Sequence, residues 1–279
     1  MSVQAKVKET VVEEAQRVRA LSEEAARSGA FLYPLKGIAY FFSHRSLWQP
    51  LLDKLIPTIT TAIGVVTFMF VFTYLPQAAV LTLFNGPLAA VSSVFLVLSE
   101  SSTLITIISK NFLIEDALLD TFDGTLVAQK MTDLVSEGRQ IHPNAANPIG
   151  KLGKLATKPL AKFAPQAIIR YFLYLPLNFI PVVGTILFLI LQGRRAGEAA
   201  HTRYFQLKGM GNSQKRDYVS ARQGAYTSFG LVSVLLELVP VASILFSFTN
   251  TVAAALWAAD LERQATTAPK LKEQAHKAE

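Results

Sequence analysis

From Leu55 to Ser99 the chain runs for 45 residues without one Asp, Glu, Lys, Arg or His. No other feature restricts its fold so severely. A bilayer core takes ~20 apolar residues per helix, so the stretch predicts two spans. Asn85-Gly86-Pro87 lies between them as three consecutive turn-formers able to reverse the chain at a membrane surface. The predicted hairpin has a first limb from Leu55 to Phe84, carrying Pro57 and Pro76, and a second from Leu88 to Ser109. A buried helical pair inside a large soluble protein is the competing reading. Composition argues against it. The chain is 51% hydrophobic and 17% charged, its mean hydropathy is +0.33, and a soluble domain carries roughly 25% charged residues.

The rest of the chain divides around this hairpin. Residues 1–30 alternate charge signs over a thin apolar stripe, which predicts a solvated helix and no cleavable signal peptide. Residues 31–262 read as one membrane domain. Its first part, 31–54, mixes Phe31, Tyr33, Tyr40, Phe41, Phe42 and Trp48 with Lys36, His44 and Arg45, a composition suited to headgroup level. After the hairpin at 55–109, residues 110–165 begin as a polar helix and are broken by Pro143, Pro148 and Gly150. They then turn basic, with Lys151, Lys154, Lys158 and Lys162 recurring every three or four residues. That spacing predicts a surface helix facing anionic lipid, with an ordinary positive-inside signal as the alternative. Residues 263–279 form a polar tail.

Two further apolar segments, at 166–192 and 225–262, flank a basic loop at 193–224. They form an internal repeat with an offset of 59 residues, aligning Leu177-Asn178-Phe179-Ile180-Pro181-Val182-Val183-Gly184 with Leu236-Glu237-Leu238-Val239-Pro240-Val241-Ala242-Ser243. Each carries a proline near its centre and a small residue three positions on, so Pro181, Gly184, Pro240 and Ser243 mark either kinks or hairpin tips. The limbs of the first are too short to cross, at ~22 and ~18 Å. It is predicted to be half-penetrating. The basic loops at 139–170 and 194–222 both favour the cytosolic side, so the segment between them should enter and leave by one face. For 225–262 a re-entrant hairpin and a single kinked span both stay open. The fold class expected is therefore an all-α integral membrane protein, with a transmembrane helical hairpin, two proline-centred re-entrant hairpins and interfacial amphipathic helices.

Polar groups in such surroundings are functional candidates by default. Glu100, Asn178 and Glu237 qualify, and the last two occupy equivalent places in the repeat. One reading makes Asn178 and Glu237 a cation or proton site shared by the hairpin tips; the other has each bond a backbone carbonyl freed by its proline, or has a protonated Glu237 cap the neighbouring hairpin. Glu100, in Ser99-Glu100-Ser101, is expected nearer the bilayer surface. An isolated carboxylate at Glu237 is expected to be protonated or paired. No catalytic residues, metal site or cofactor are predicted, since His44, His142, His201 and His276 are scattered, cysteine is absent and no phosphate-binding glycine loop occurs. The net charge of +7 and pI near 9.5 lie beside membrane segments, which implies anionic lipid and not nucleic acid as partner.

At these residues the chain resembles the family joining bacterial CysZ sulfate permeases with eukaryotic etoposide-induced 2.4 proteins. The resemblance rests on Tyr40-Phe41, the uncharged hairpin, the run at 177–184, and Val239-Pro240-Val241 followed by Ala255-Leu256-Trp257. It extends over about 31–262. It implies two half-penetrating hairpins and, by likeness to fungal branches linked to the outer spore wall and lipid droplets, a non-enzymatic protein of the endoplasmic reticulum or droplet with cytosolic termini. The alternative it implies is a sulfate-like anion channel or transporter, lined by Asn178, Glu237, Arg45 and Lys54 and enclosed by homo-oligomerisation. One departure opposes that alternative. Permeases of the family carry Pro-Gly-Leu-Arg-Arg where this chain reads Pro50-Leu51-Leu52-Asp53-Lys54.

Overall fold

The computed structural model describes residues 20–156, 183–239 and 242–278. Asn178, Pro181, Pro240, Lys158 and Lys162, and with them most of the first proline-centred segment, lie outside the described residues.

Helix α1 (Tyr33–Ser43) starts with Pro34 in its first turn and buries Pro34, Gly37 and Phe41. After a 3-10 turn at Arg45–Trp48, α2 (Gln49–Asn85) runs for 37 residues with Pro57 and Pro76 inside it, a length of ~55 Å. It ends at Gly86, whose φ of 53° and ψ of −133° lie in a region open chiefly to glycine. The chain reverses there, as expected from Asn85-Gly86-Pro87, and returns as α3 (Ala89–Ile108). The two helices pack along each other. Both are long and apolar enough to cross a membrane. Their outward faces display Ile56, Leu75, Leu83, Leu88 and Phe95, all more than two-thirds exposed.

A third helix also meets the length and hydropathy needed to cross, but its apolar surface is used differently. In α10 (Ser243–Ala278) the crossing window is 61% buried inside the protein, against 11% and 17% in the hairpin helices. Val252, Ala253, Ala254, Ala255, Ala258 and Ala259 are fully enclosed. Small side chains let neighbours approach closely: a Cβ at Gly37 would stand 2.8 Å from the Ala253 amide. Thus α1 and α4 (Glu115–Ala128) pack against α10, forming a head from which the α2–α3 hairpin projects.

Segment 225–262 is a helix, a break and a second helix. Helix α9 (Gln223–Glu237), which follows the short α8 (Asn212–Ser220), and α10 run back past each other: Asn250 donates to the Ser233 carbonyl at 3.1 Å, and Phe229 stacks on Trp257 at 5.3 Å. The other side of α9 is crossed by α6 (Val183–Ala200). Gly193, Gly197 and Gly230 meet there, and a Cβ on Gly193 would stand 2.8 Å from the Leu231 amide.

Three details differ from the sequence reading. The polar helix expected after the hairpin is divided into α4 and a short α5 (Thr132–Ser136). The surface helix expected from Lys151 is not helical where described. Instead β1 (Arg139–Ile141) and β2 (Leu152–Leu155) form an antiparallel ribbon, placing Lys151 in its turn and Lys154 on β2. Gly150, held by the Asn147 side chain at 2.6 Å, and Gly153 are poor helix formers, and cross-strand pairing satisfies the backbone over this short length. Finally, residues 20–28 are helical but not merely solvated. The Glu24 carboxylate accepts from the Gly224 amide at 3.1 Å at the N-terminus of α9, where the helix dipole favours an anion.

Candidate functional site

The second span does not stop as an ordinary helix end. Ser109–Leu113 is a π-helical turn, closed by the Ile114 amide on the Ser109 carbonyl at 3.0 Å; such turns cost hydrogen-bond geometry and gather at functional sites. It carries Lys110, whose ammonium reaches the Glu237 carboxylate at 2.5 Å. Glu237 ends α9 and also accepts from Asn250 of α10 at 3.0 Å. The lone acid of the apolar segment is therefore paired. Its partner lies 127 residues away in sequence.

This pair lies in a cleft of about 350 Å³ bounded by the π-turn, α4, α6, α9 and α10. Two buried polar atoms of the cleft, Ser233 Oγ and Asn250 Oδ1, have no hydrogen-bond partner. Buried hydroxyl and amide oxygens are normally satisfied, so the cleft has capacity for a polar guest or water. Removing one member of the ion pair strands the other at about 29% side-chain exposure. Lys110→Met and Glu237→Gln are each expected to lower thermal stability, and the double variant to recover part of the loss. The coupling energy expected from the cycle is ~1–3 kcal/mol. Strict additivity in a detergent melting series would show that the pair does not act as a unit.

Beneath the cleft lies a second ionic group. Asp123 of α4, with no solvent exposure, accepts from Arg203 Nε at 3.0 Å and Nη2 at 2.7 Å, and from Arg139 Nη1 at 3.2 Å. Arg139 also donates to Asp120 at 2.9 Å and to the Gly153 carbonyl at 3.2 Å. Burial pushes the Asp123 carboxyl up, and hydrogen bonds and charge from Arg203, then Arg139, pull it down. The network ties α4, the ribbon and α7 (Thr202–Leu207) together.

His201, between α6 and α7, is fully buried in an aromatic nest, 4.5 Å from the Trp257 ring. Its Nε2 donates to the Ala254 carbonyl at 3.0 Å, which leaves Nδ1 to accept from the Tyr226 hydroxyl at 2.8 Å. Burial lowers its pKa to about 4. The unfolded chain, with an imidazole near the ordinary ~6.5, takes up a proton between these values that the folded chain refuses. Stability should accordingly be full above pH 6.5 and fall by as much as ~3 kcal/mol on going to pH 4. His201→Gln, which can keep both hydrogen bonds but cannot titrate, should flatten that part of a denaturation-against-pH curve. An unchanged slope would remove His201 as its source.

The residues singled out from sequence do not converge. Glu237 is in the cleft, whereas Glu100 accepts from Gln77 at 2.6 Å between the hairpin helices. Arg45 is exposed on its 3-10 turn, and Lys54 lines a separate groove that Ser243 also borders. Gly184 falls in the first turn of α6. Lys110, Asp123, Arg139 and Arg203 were missed. The only signal for Lys110 was that it is the first basic residue after a long apolar run, opposite a lone acid in another. Among the described residues no group of three or more His, Asp or Glu side chains could hold a metal ion.

The family described as "Sulfate transporter CysZ/Etoposide-induced protein 2.4" matches residues 33–247. The chain is also similar to two Saccharomyces cerevisiae proteins. One is the outer spore wall protein LDS1, 23% identical over 246 residues, covering 85% of this chain and 72% of that protein. The other is the outer spore wall protein RRT8, 25% identical over 257 residues, covering 86% and 74%.

Proposed function

The chain belongs to the Sulfate transporter CysZ/Etoposide-induced protein 2.4 family, and from that premise we propose that it is a non-enzymatic membrane protein of the endoplasmic reticulum and lipid droplet that serves outer spore wall assembly. The spore-wall role is supported by the names of its relatives. The droplet location rests on one observation. Between Lys54 and Glu100 the projecting hairpin has no charged residue, while every ionic network described above belongs to the head or the hairpin base. A hairpin built this way has no charged group to strand on the far side, so it can sit in a bilayer or in the single leaflet around neutral oil. A chain with a polar domain on both sides could not make that transfer without burying charge.

Cells loaded with fatty acid and expressing the tagged chain should show it on droplets and reticulum. Charges at the hairpin tip, as in Asn85→Arg with Leu83→Arg, should hold it in the bilayer by a cost of ~2.5–3.5 kcal/mol per buried cation. Exclusive plasma-membrane signal in the parent would overturn the location.

The family match favours a second reading, passage of a sulfate-like anion; in the cleft the unpartnered Ser233 hydroxyl could donate to it, while Lys110 is already neutralised by Glu237. Asp53, exposed at the base of α2, opposes anion entry there. Radiolabelled sulfate uptake into proteoliposomes well above empty liposomes would replace the droplet reading with transport.

A further inference from the structure

We propose that the groove between α2, α3 and the start of α10 is a binding site for one anionic phospholipid, with its acyl chain along α2 and its phosphate at Lys54. The groove has a volume of about 560 Å³. Leu55, Ile59, Ala62 and Val66 form one wall, spaced so that they share a single face of α2. Leu98 and Ile105 of α3 and Ile244 of α10 form the others. From Lys54 to Val66 this face extends ~18 Å, comparable to an extended acyl chain. Both hairpin helices are little covered by protein, so the groove opens onto the hydrocarbon of the surrounding leaflet. A hollow left empty there would forfeit contacts along all its walls.

The two ends of the groove differ, and that difference selects the occupant. Lys54 lines one end, half-buried and with no ion-pair partner among the described residues. One turn further in, Thr58 Oγ1 is shut off without a hydrogen-bond partner. An ammonium and a hydroxyl four residues apart on one helix face suit the oxygens of a phosphate. The remaining lining is apolar apart from Ser102, Thr106 and Ser243. Asp53 is exposed and does not line the groove. A triglyceride has no group for Lys54, and a zwitterionic phospholipid has no net negative charge to draw it there, whereas an anionic one has.

The full-length protein, reconstituted with phosphatidylcholine and phosphatidylserine in equal amounts and re-extracted in mild detergent, should retain one phosphatidylserine per chain in native mass spectrometry. Lys54→Ala should weaken that retention roughly five-fold, the factor expected for one basic group. Ala62→Trp should abolish it, and Leu83→Trp, outside the groove, should leave it unchanged. A phosphatidylserine carrying a diazirine on its acyl chain gives a test in the unmutated chain. Its cross-links should concentrate in peptides covering 55–66 and 98–106. Cross-links spread evenly along α2, retention of phosphatidylcholine in preference, or no retained lipid would overturn the proposal, as would retention indifferent to Lys54→Ala in a normally folded variant.

Discussion

Replacing Asp123 with alanine should lower the stability of the head by about 3–5 kcal/mol, the usual effect of removing one partner from a buried ionic group. The size follows from what is left behind. Arg203 and Arg139 retain 3% and 5% side-chain exposure, and without Asp123 two guanidiniums would face each other across a volume that water reaches poorly. Arg139 keeps Asp120 and the Gly153 carbonyl, and Arg203 keeps the Gln206 amide oxygen at 2.9 Å but gives up both of its bonds to the Asp123 carboxylate. Asp123→Asn keeps the shape and one acceptor oxygen but not the charge, and should fall between the parent and alanine. Thermal unfolding in detergent, followed through Trp257 fluorescence in a Trp48→Phe background, reads the effect directly. A loss below ~1 kcal/mol for the alanine variant would mean that the network is not shut off from solvent as its exposure implies.

A comparable loss is expected at the crossing of α6 and α9. Gly193, Gly197 and Gly230 bring these helices together so closely that a Cβ on Gly230 or Gly197 would collide with backbone. Backbone cannot swing aside as a flexible side chain does. Gly230→Leu should therefore force the helices apart, at more than the ~1–3 kcal/mol of ordinary overpacking. It should also open the cleft, because Phe229 and Ser233 on α9 line it. Gly209→Asn is the contrasting change: that glycine has φ of 62° and open space around its Cα, and asparagine tolerates this conformation. Near-equal melting of the Gly230→Leu variant and the parent would contradict the close crossing.

Sequence revealed those parts of the molecule whose cause is local. The hairpin follows from an unbroken uncharged run, and its reversal from Asn85, Gly86 and Pro87, because a glycine at positive φ and a proline behind it can do little else. The break between α9 and α10 was equally visible from the repeat. What was hidden depends on distance along the chain. Asp123 and Arg203 are 80 residues apart, and either alone resembles a solvated charge. The apolarity of α10 was ambiguous in a different way, since a helix hydrophobic on all sides can be covered by lipid or by protein, and only packing against α1 and α4 shows which covers most of it. At Lys151 and Lys154 the charge spacing suggested a helix, but the glycines among them decided for a ribbon.

We infer that, among the described residues, the α2–α3 hairpin is the part given to lipid while the head stays on one side of the membrane. The chain contains no cysteine, so single cysteines can be introduced without background. At Asn212 and Gln264 on the head, both exposed, they should react with a membrane-impermeant maleimide in intact reticulum vesicles with the cytosolic face outward. A cysteine at Asn85, at the hairpin tip, should react only after the vesicles are opened. Labelling of Asn85 in sealed vesicles, or opposite behaviour of Asn212 and Gln264, which would put α10 across the membrane, would contradict the account.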